Sequence, residues 1–412
     1  MQIHDRERCS TGAEPGGSPR LTAAMCLALV LVLSGSLSFQ SLIPALIGEW
    51  RLDHAAAGWL ASVSYIAYAL AAPFLVGMTD RVDARRVFIA AALVLALAAA
   101  GFALFAQGFW SALPWRALTG IGVAGSYMPG LKALSDRSGV GKGRPQSFYT
   151  ASYALGSALS LGMTGVLADL LGWRSALLLI AAVSLAGACV VFAALTPRRP
   201  PASHGRRLAG ALLQVLRDRD SMRYVFAYTF HTFELFAFRT WIVALLAFAL
   251  AGPGSEGLAA PAALATAFLL LGLPASILGN ELAARIRRER ALVFVMLASA
   301  AGALLLALSV GLSPLLLLAA AALYAVLVTA DAAAIMVGTL AAAPPERRGA
   351  TIAVQTLLAA VAAMASPLVF GYILDRFGGG TAQAWRMGFM ALAAVALAGA
   401  LMLIGMARQR KA

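Results

Sequence analysis

Within Arg223 to Trp241, His231, Glu234 and Arg239 combine groups that can carry a proton with one that can hold an anion. His231 and Glu234 are three positions apart, about 60° around a helix, so they share a face and can meet. Arg239 stands five beyond Glu234, about 140° round, and needs a bend or another helix to complete a pair. The same segment carries Phe226, Phe230, Phe233, Phe236 and Phe238, a pattern that more often serves packing than a ligand cage. Arg116, Asp331, Gln40 and Gln355 also fall inside long apolar stretches, as do Tyr149 and Tyr153, an i, i+4 pair that could line a cavity. An ionisable side chain in hydrocarbon costs from ~2.5 kcal/mol upward, so each needs a partner or a watery cavity. His231, Glu234 and Asp331 are candidate proton carriers, and Arg116 and Arg239 candidate contacts for an anion. Each also has a structural alternative, a polar network that fixes helix packing, with Arg116 then holding neighbouring backbone.

The elements that must position these groups are membrane helices. Hydrophobic residues make up 61% of the chain and charged residues 12%, a balance that would leave a water-soluble domain covered in apolar surface. A hydrocarbon core of roughly 30 Å takes about 20 helical residues to cross. The first six stretches that meet this length are Leu21 to Leu46, Ala55 to Met78, Val87 to Ala106, Phe109 to Leu131, Ser147 to Leu170 and Ser175 to Leu195. Six more are Met222 to Leu250, Pro261 to Leu282, Ala291 to Leu308, Leu315 to Leu340, Gly349 to Leu374 and Met387 to Met406. The third, sixth, ninth and twelfth lack ionisable, Asn and Gln residues in mid-stretch, which marks them as supports facing lipid.

Basic residues orient the stretches. Of 32 Lys and Arg, only Arg51, Arg174, Arg376 and Arg386 fall on the turns after odd-numbered stretches, and only Arg116 and Arg239 within stretches. The rest cluster in the tails, the central linker and the turns after even-numbered stretches, and basic loops remain cytoplasmic. Both termini are therefore expected in the cytoplasm, with the chain in the plasma (inner) membrane. The net charge of +14 is dispersed as topology signals rather than gathered into a nucleic-acid surface. Arg20 before the first stretch could flank a cleaved signal, but cleavage would leave eleven stretches and put the N-terminus outside with no compensating change in loop charge, so the first helix is read as uncleaved. Cys9, Cys26 and Cys189 offer neither a disulfide framework nor metal-ligand spacing.

The halves echo one another. Lys142-Gly143 recurs as Arg348-Gly349, Gly165 as Gly371, Asp169 as Asp375 and Gly172 as Gly378, all half the chain apart. An even number of stretches per half makes these parallel repeats about an axis along the membrane normal. The expected domains are a tail over 1–20, a six-helix bundle over 21–195, a polar linker over 196–221, a second bundle over 222–406 and a tail over 407–412. A short amphipathic helix is expected in the linker over Leu208 to Leu216.

The loop after the second stretch reads Val76-Gly77-Met78-Thr79-Asp80-Arg81-Val82-Asp83-Ala84-Arg85-Arg86. It resembles the loop signature of the major facilitator superfamily of secondary transporters, with Asp80, Arg81 and Arg85 matching and Gly77 displaced by one. Gly279, Arg285, Arg287 and Arg288 form the second-half counterpart, without the Asp, and Arg116 and Gly120 match an R-x-x-x-G element of the fourth helix. The G-P-x-x-G element of drug antiporters is not matched, because Gly156-Ser157-Ala158-Leu159-Ser160 lacks the Pro. The resemblance covers essentially the whole chain and implies an all-α membrane fold of twelve helices in two pseudo-symmetric bundles. It also implies a loop that latches the halves. Asp80 lies on the face where the eleventh helix starts near Gly349, and a carboxylate near a helix N-terminus gains ~0.3–1 kcal/mol; an ordinary turn with topology-setting arginines is the alternative.

The functional expectation is a carrier, not an enzyme, which binds a small solute between the bundles and alternates access. No nucleotide-binding loop appears, Gly141-Lys142-Gly143 being too short, so protons are the expected energy source and no cofactor or metal is expected. Two intramembrane arginines favour a small anion. Efflux of amphiphilic compounds is the alternative, followed by a polytopic membrane enzyme or a non-transporting sensor. The partners are then the solute, protons and the bilayer, with the chain a monomer.

Overall fold

The computed structural model describes residues 19–138, 143–198, 214–251 and 258–409, and among them every regular element is helical. Span 1 is a broken helix, Pro19–Leu33 and Ser38–Trp50; spans 2 to 6 are His54–Met78, Ala84–Phe105, Phe109–Ser138, Gly143–Leu171 and Trp173–Ala194. Span 7 is Arg219–Leu250, span 8 Pro261–Arg285 and span 9 Arg288–Ser309; span 10 is again broken, Pro314–Ala330 and Ala332–Ala342; spans 11 and 12 are Arg348–Arg376 and Ala382–Gln409. Eleven of these spans are long and apolar enough to cross a membrane. Span 4 is long enough but falls short in hydropathy, since Arg116, two prolines and four glycines dilute its apolar residues. Of the linker, residues 214–217 are helical; the rest of the expected 208–216 helix lies outside the described residues.

Spans 1–6 pack as one bundle and spans 7–12 as the other, and the two meet chiefly where span 2 lies against span 11 and span 5 against span 8. Small residues permit the approach. A Cβ added to Gly58 would overlap the Pro367 carbonyl, and one at Gly165 would overlap the Ala262 side chain. Such close approach lets van der Waals contact hold helices together where lipid offers no hydrophobic drive.

The interruption of span 1 exposes backbone groups that hydrocarbon cannot satisfy; turn bonds within the break take most of them, and span 5 takes Leu37 N and braces the neighbouring side chains. Leu37 N donates to Ser160 Oγ at 3.0 Å, Ser41 Oγ donates to the Leu161 carbonyl at 2.7 Å, and Thr164 Oγ donates to Ser38 Oγ at 2.9 Å. These bonds stabilise a kink that turns Ser36 and Leu37 toward the space between the bundles.

Two faces can be distinguished. The tail face carries Pro19, Gln409, Thr196 and Asp218, and the opposite face carries the described turns after odd-numbered spans. On the opposite face, Asp375 at the end of span 11 reaches across to span 2. Its Oδ1 accepts from His54 N at 3.0 Å and lies 2.7 Å from His54 Nδ1, and its Oδ2 accepts from Ala55 N at 2.8 Å. A carboxylate from one bundle thus caps a helix of the other. At the tail-side ends of spans 2 and 11, by contrast, a Cβ built on Gly77 or Gly349 would meet nothing within 4 Å. The bundles are pinned together at the face opposite the tails.

Candidate functional site

A cavity of about 200 Å³ lies between the bundles, walled by spans 1, 2, 4, 5, 7 and 11. Spans 3, 6, 9 and 12 contribute nothing to its lining and carry exposed apolar side chains such as Leu97, Phe192, Phe294 and Leu401 on their outer faces. Among the lining residues Arg239 is the one charged side chain. Its Nε is buried without a hydrogen-bond partner, and its guanidinium carbon lies 6.0 Å from the Phe236 ring centroid. The bend or second helix that would bring an acid to Arg239 is not found among the described residues. Instead the neighbouring wall is aromatic: Tyr65 and Tyr68 from span 2, Tyr153 from span 5, Tyr228 and Phe236 from span 7.

The acids of this region sit behind the wall, inside the second bundle. His231 and Glu234 share a helix face but do not pair with each other. His231 Nδ1 lies 2.8 Å from Asp331 Oδ1, at the interruption of span 10. Glu234 Oε1 accepts from Ser299 Oγ at 2.6 Å and from Tyr324 OH at 2.9 Å. All three ionisable groups are buried, with 2–3% of their surface exposed. A buried carboxylate alone would pay a desolvation cost of several kcal/mol; Ser299 and Tyr324 offset it for Glu234, and the His231 ring faces Asp331. Ser299 belongs to span 9, so that helix is more than an apolar support. Its hydroxyl could not have been singled out from sequence, because one serine among alanines and leucines marks no particular face.

Arg116 is placed differently from the expectation that it contacts an anion. Its Nε donates to the Leu60 carbonyl at 3.0 Å, its Nη2 donates to Ser64 Oγ at 2.8 Å, and its guanidinium stacks on Phe39 at 4.6 Å. The side chain is 2% exposed; its donors serve span 2 and its guanidinium face covers Phe39 of span 1. It acts here as the buried cation that holds neighbouring backbone. Gln40 Nε2 donates to Tyr65 OH at 3.1 Å, while Gln355 lies 3.9 Å from the Met336 sulfur; both leave a buried carbonyl oxygen unpartnered. Of the fifth-span tyrosines, Tyr153 lines the cavity and Tyr149 is spent on the Ser126 carbonyl at 3.2 Å. Of the phenylalanines in span 7, Phe236 alone is among the lining residues.

Residues 25–264 match the family model of the Major Facilitator Superfamily. The chain belongs to that superfamily. Solved structures of a bacterial homologue of the human lysosomal transporter Spinster share its fold. The inward-facing, occupied form has a TM-score of 0.76 at 14% identity, covering 96% of this chain and 98% of that one. A nucleoside transporter, NupG, in mutant form, gives 0.74 at 14% identity over 94% of this chain and 99% of that one. Among curated proteins, the niacin transporter NiaP of Acinetobacter baylyi is 32% identical over 95 residues, 23% of this chain and 21% of that protein. The match spans only about that fifth of its length. The chain is thus a multi-pass membrane protein of a transporter family that acts on small molecules.

The superfamily loop after span 2 is occupied within its own bundle. Asp80 Oδ1 lies 3.6 Å from Lys132 Nζ in span 4, not at the start of span 11, so the expected latch contact is absent from this conformation. Arg85 Nη2 donates to the Phe192 carbonyl at 2.8 Å and stacks on the Phe192 ring, whereas Arg81 and Arg86 are exposed. Asp83 stands where the signature has Gly. It caps span 3 by accepting from Arg85 N at 3.0 Å and lies 3.7 Å from Arg137. In the second half, Gly279 packs under the Ala330 carbonyl, and Arg288 donates to the Ala334 carbonyl at 3.2 Å and to Asn280 Oδ1 at 3.4 Å. Arg285 is exposed and Arg287 half-buried. The loop therefore braces span to span rather than bundle to bundle in this state.

Proposed function

We propose that this protein is a proton-coupled carrier of a small organic anion in the plasma (inner) membrane, with the 21–195 and 222–406 bundles rocking about the central cavity. The observation that carries this reading is Arg239, a guanidinium facing the cavity without an acid, on the same helix as His231 and Glu234. A half-buried cation left unpaired is costly, and an anionic solute that enters the cavity relieves that cost. The His231–Asp331 pair and Glu234, one layer behind, are groups whose protonation can respond to which face the cavity addresses. Niacin, for which the partial relative is named, is itself a small carboxylic acid and agrees with an anion site.

Purified protein in proteoliposomes tests this with niacin and benzoate as probes. Saturable counterflow, with accumulation driven by an imposed pH gradient, is the expected result. Saturable movement of cationic amphiphiles with no movement of carboxylates would replace the reading by efflux of amphiphiles. The orientation has its own test. Cysteines placed at Val82 and at Asp218 should react with an impermeant maleimide only from the cytoplasmic side, and labelling from outside at either would reverse the topology.

A further inference from the structure

We infer that the central cavity is built for a single-ring aromatic monocarboxylate, its carboxylate held by Arg239 and the surrounding tyrosine hydroxyls and its ring packed among the aromatic side chains. This rests on the anion reading above and narrows it. Three features of the wall support it: its charge, its free donors and its shape.

The charge is a single positive one. Arg239 is the lone ionisable cation among the lining residues, and no carboxylate lines the cavity. Arg116 is committed to Leu60, Ser64 and Phe39, and the acids His231 faces lie outside the lining. A ligand with one negative charge balances the site, whereas a dianion would bring an uncompensated charge out of water.

The free donors are also arranged for an acceptor. Ser36, Thr119 and Thr232 spend their hydroxyl protons on carbonyls of their own helices, at 2.7, 2.9 and 2.8 Å. Tyr65 OH already accepts from Gln40, so its own proton is available to donate. The hydroxyls of Tyr68, Tyr153 and Tyr228 have no hydrogen-bond partner among the described residues. What the cavity offers is therefore a guanidinium fork, phenolic O–H groups and the hydroxyls of Ser157 and Thr356, donors that a carboxylate accepts from.

The shape selects a ring. Tyr65 of span 2 and Phe236 of span 7 meet edge to face with centroids 5.0 Å apart, and Tyr153 lies 4.7 Å from Tyr127 in a tilted arrangement. Aromatic groups stack or meet edge to face with preference over an aliphatic ring of equal size. The volume of about 200 Å³ is below the ~300–1,000 Å³ of pockets that take drug-sized ligands. One ring with one carboxylate is the scale that fits.

Equilibrium binding to the purified full-length protein decides the matter, using benzoate, cyclohexanecarboxylate, terephthalate and benzamide as probes. Benzoate should bind at least tenfold more tightly than cyclohexanecarboxylate and terephthalate, and benzamide should bind at least a hundredfold more weakly. Arg239→Gln should abolish benzoate binding, while Arg239→Lys, which keeps the charge without the fork, should retain part of it in a monodisperse protein. Cyclohexanecarboxylate equal to benzoate would overturn the aromatic specificity and leave the anion reading standing. Equal binding of terephthalate would overturn the single-charge requirement alone. Benzamide equal to benzoate would remove the anion reading and this inference together, and absence of benzoate binding to folded protein would overturn the inference.

Discussion

Glu234→Gln should abolish proton-driven accumulation while substrate exchange across a vesicle membrane without a gradient continues. The substitution keeps an amide oxygen where Ser299 and Tyr324 donate to Glu234 Oε1, so the packing of spans 7, 9 and 10 is retained. It removes the charge and fixes the neutral form, which leaves the carrier able to turn over with substrate but unable to return a proton. The companion variants separate the roles of neighbouring groups. His231→Ala removes the imidazole 2.8 Å from Asp331 and should displace the pH optimum. Arg239→Gln should abolish substrate binding with proton leak unchanged. Uptake and exchange are measured with one probe over one pH series. Full accumulation by Glu234→Gln at wild-type pH dependence would remove Glu234 from the mechanism and shift the proton to Asp331, whose pairing with His231 then supplies the titrating unit.

Eleven of the twelve expected spans were legible because the relevant property, an unbroken apolar run of bilayer length, is local. Span 4 shows the limit: it has the length of its neighbours, but glycines, prolines and Arg116 lower its hydropathy. Which way a polar residue points was much less legible. One residue along a helix is about 100° of rotation, and composition does not tell whether Arg116 turns onto Leu60 and Ser64 or into the cavity. The His231–Asp331 contact joins residues far apart in the chain, and Glu234's donors come from spans 9 and 10; no periodicity in span 7 encodes such partners. Tyr65, Tyr68 and Tyr228 escaped notice for a related reason. Aromatic residues in membrane helices are common, and only the approach of two bundles reveals which of them share one cavity. The repeat was informative in position but not in role: Asp375 caps span 2, while its echo Asp169 is exposed.

Asp375→Ala should open the face that is closed here and shift the carrier toward the alternative conformation. The latch expected of Asp80 and the start of span 11 has its physical counterpart at the other face, where Asp375 caps the start of span 2 from the opposing bundle. The carboxylate receives two backbone N–H groups and faces His54 Nδ1, with 26% of the Asp375 side chain exposed. Hydrogen bonds to a charged group contribute about 1.5–3 kcal/mol each when well shielded, and partial exposure reduces this. Retaining even about 1.4 kcal/mol across the bundles corresponds to a tenfold population ratio. These bonds must break whenever the bundles part at this face, so their loss changes the balance of states without touching the cavity. A cysteine at Ala262, which is 5% exposed and packs against Gly165 on the far side of the same interface, reports the opening independently of Asp375. In a background without native cysteines, Ala262→Cys should react slowly with an impermeant maleimide added at this face, and Asp375→Ala should raise that rate about tenfold. Asp375→Asn keeps an acceptor for one backbone N–H and should fall between the two. An unchanged labelling rate in Asp375→Ala would show that the close packing at Gly58 and Gly165 holds the face shut without the cap.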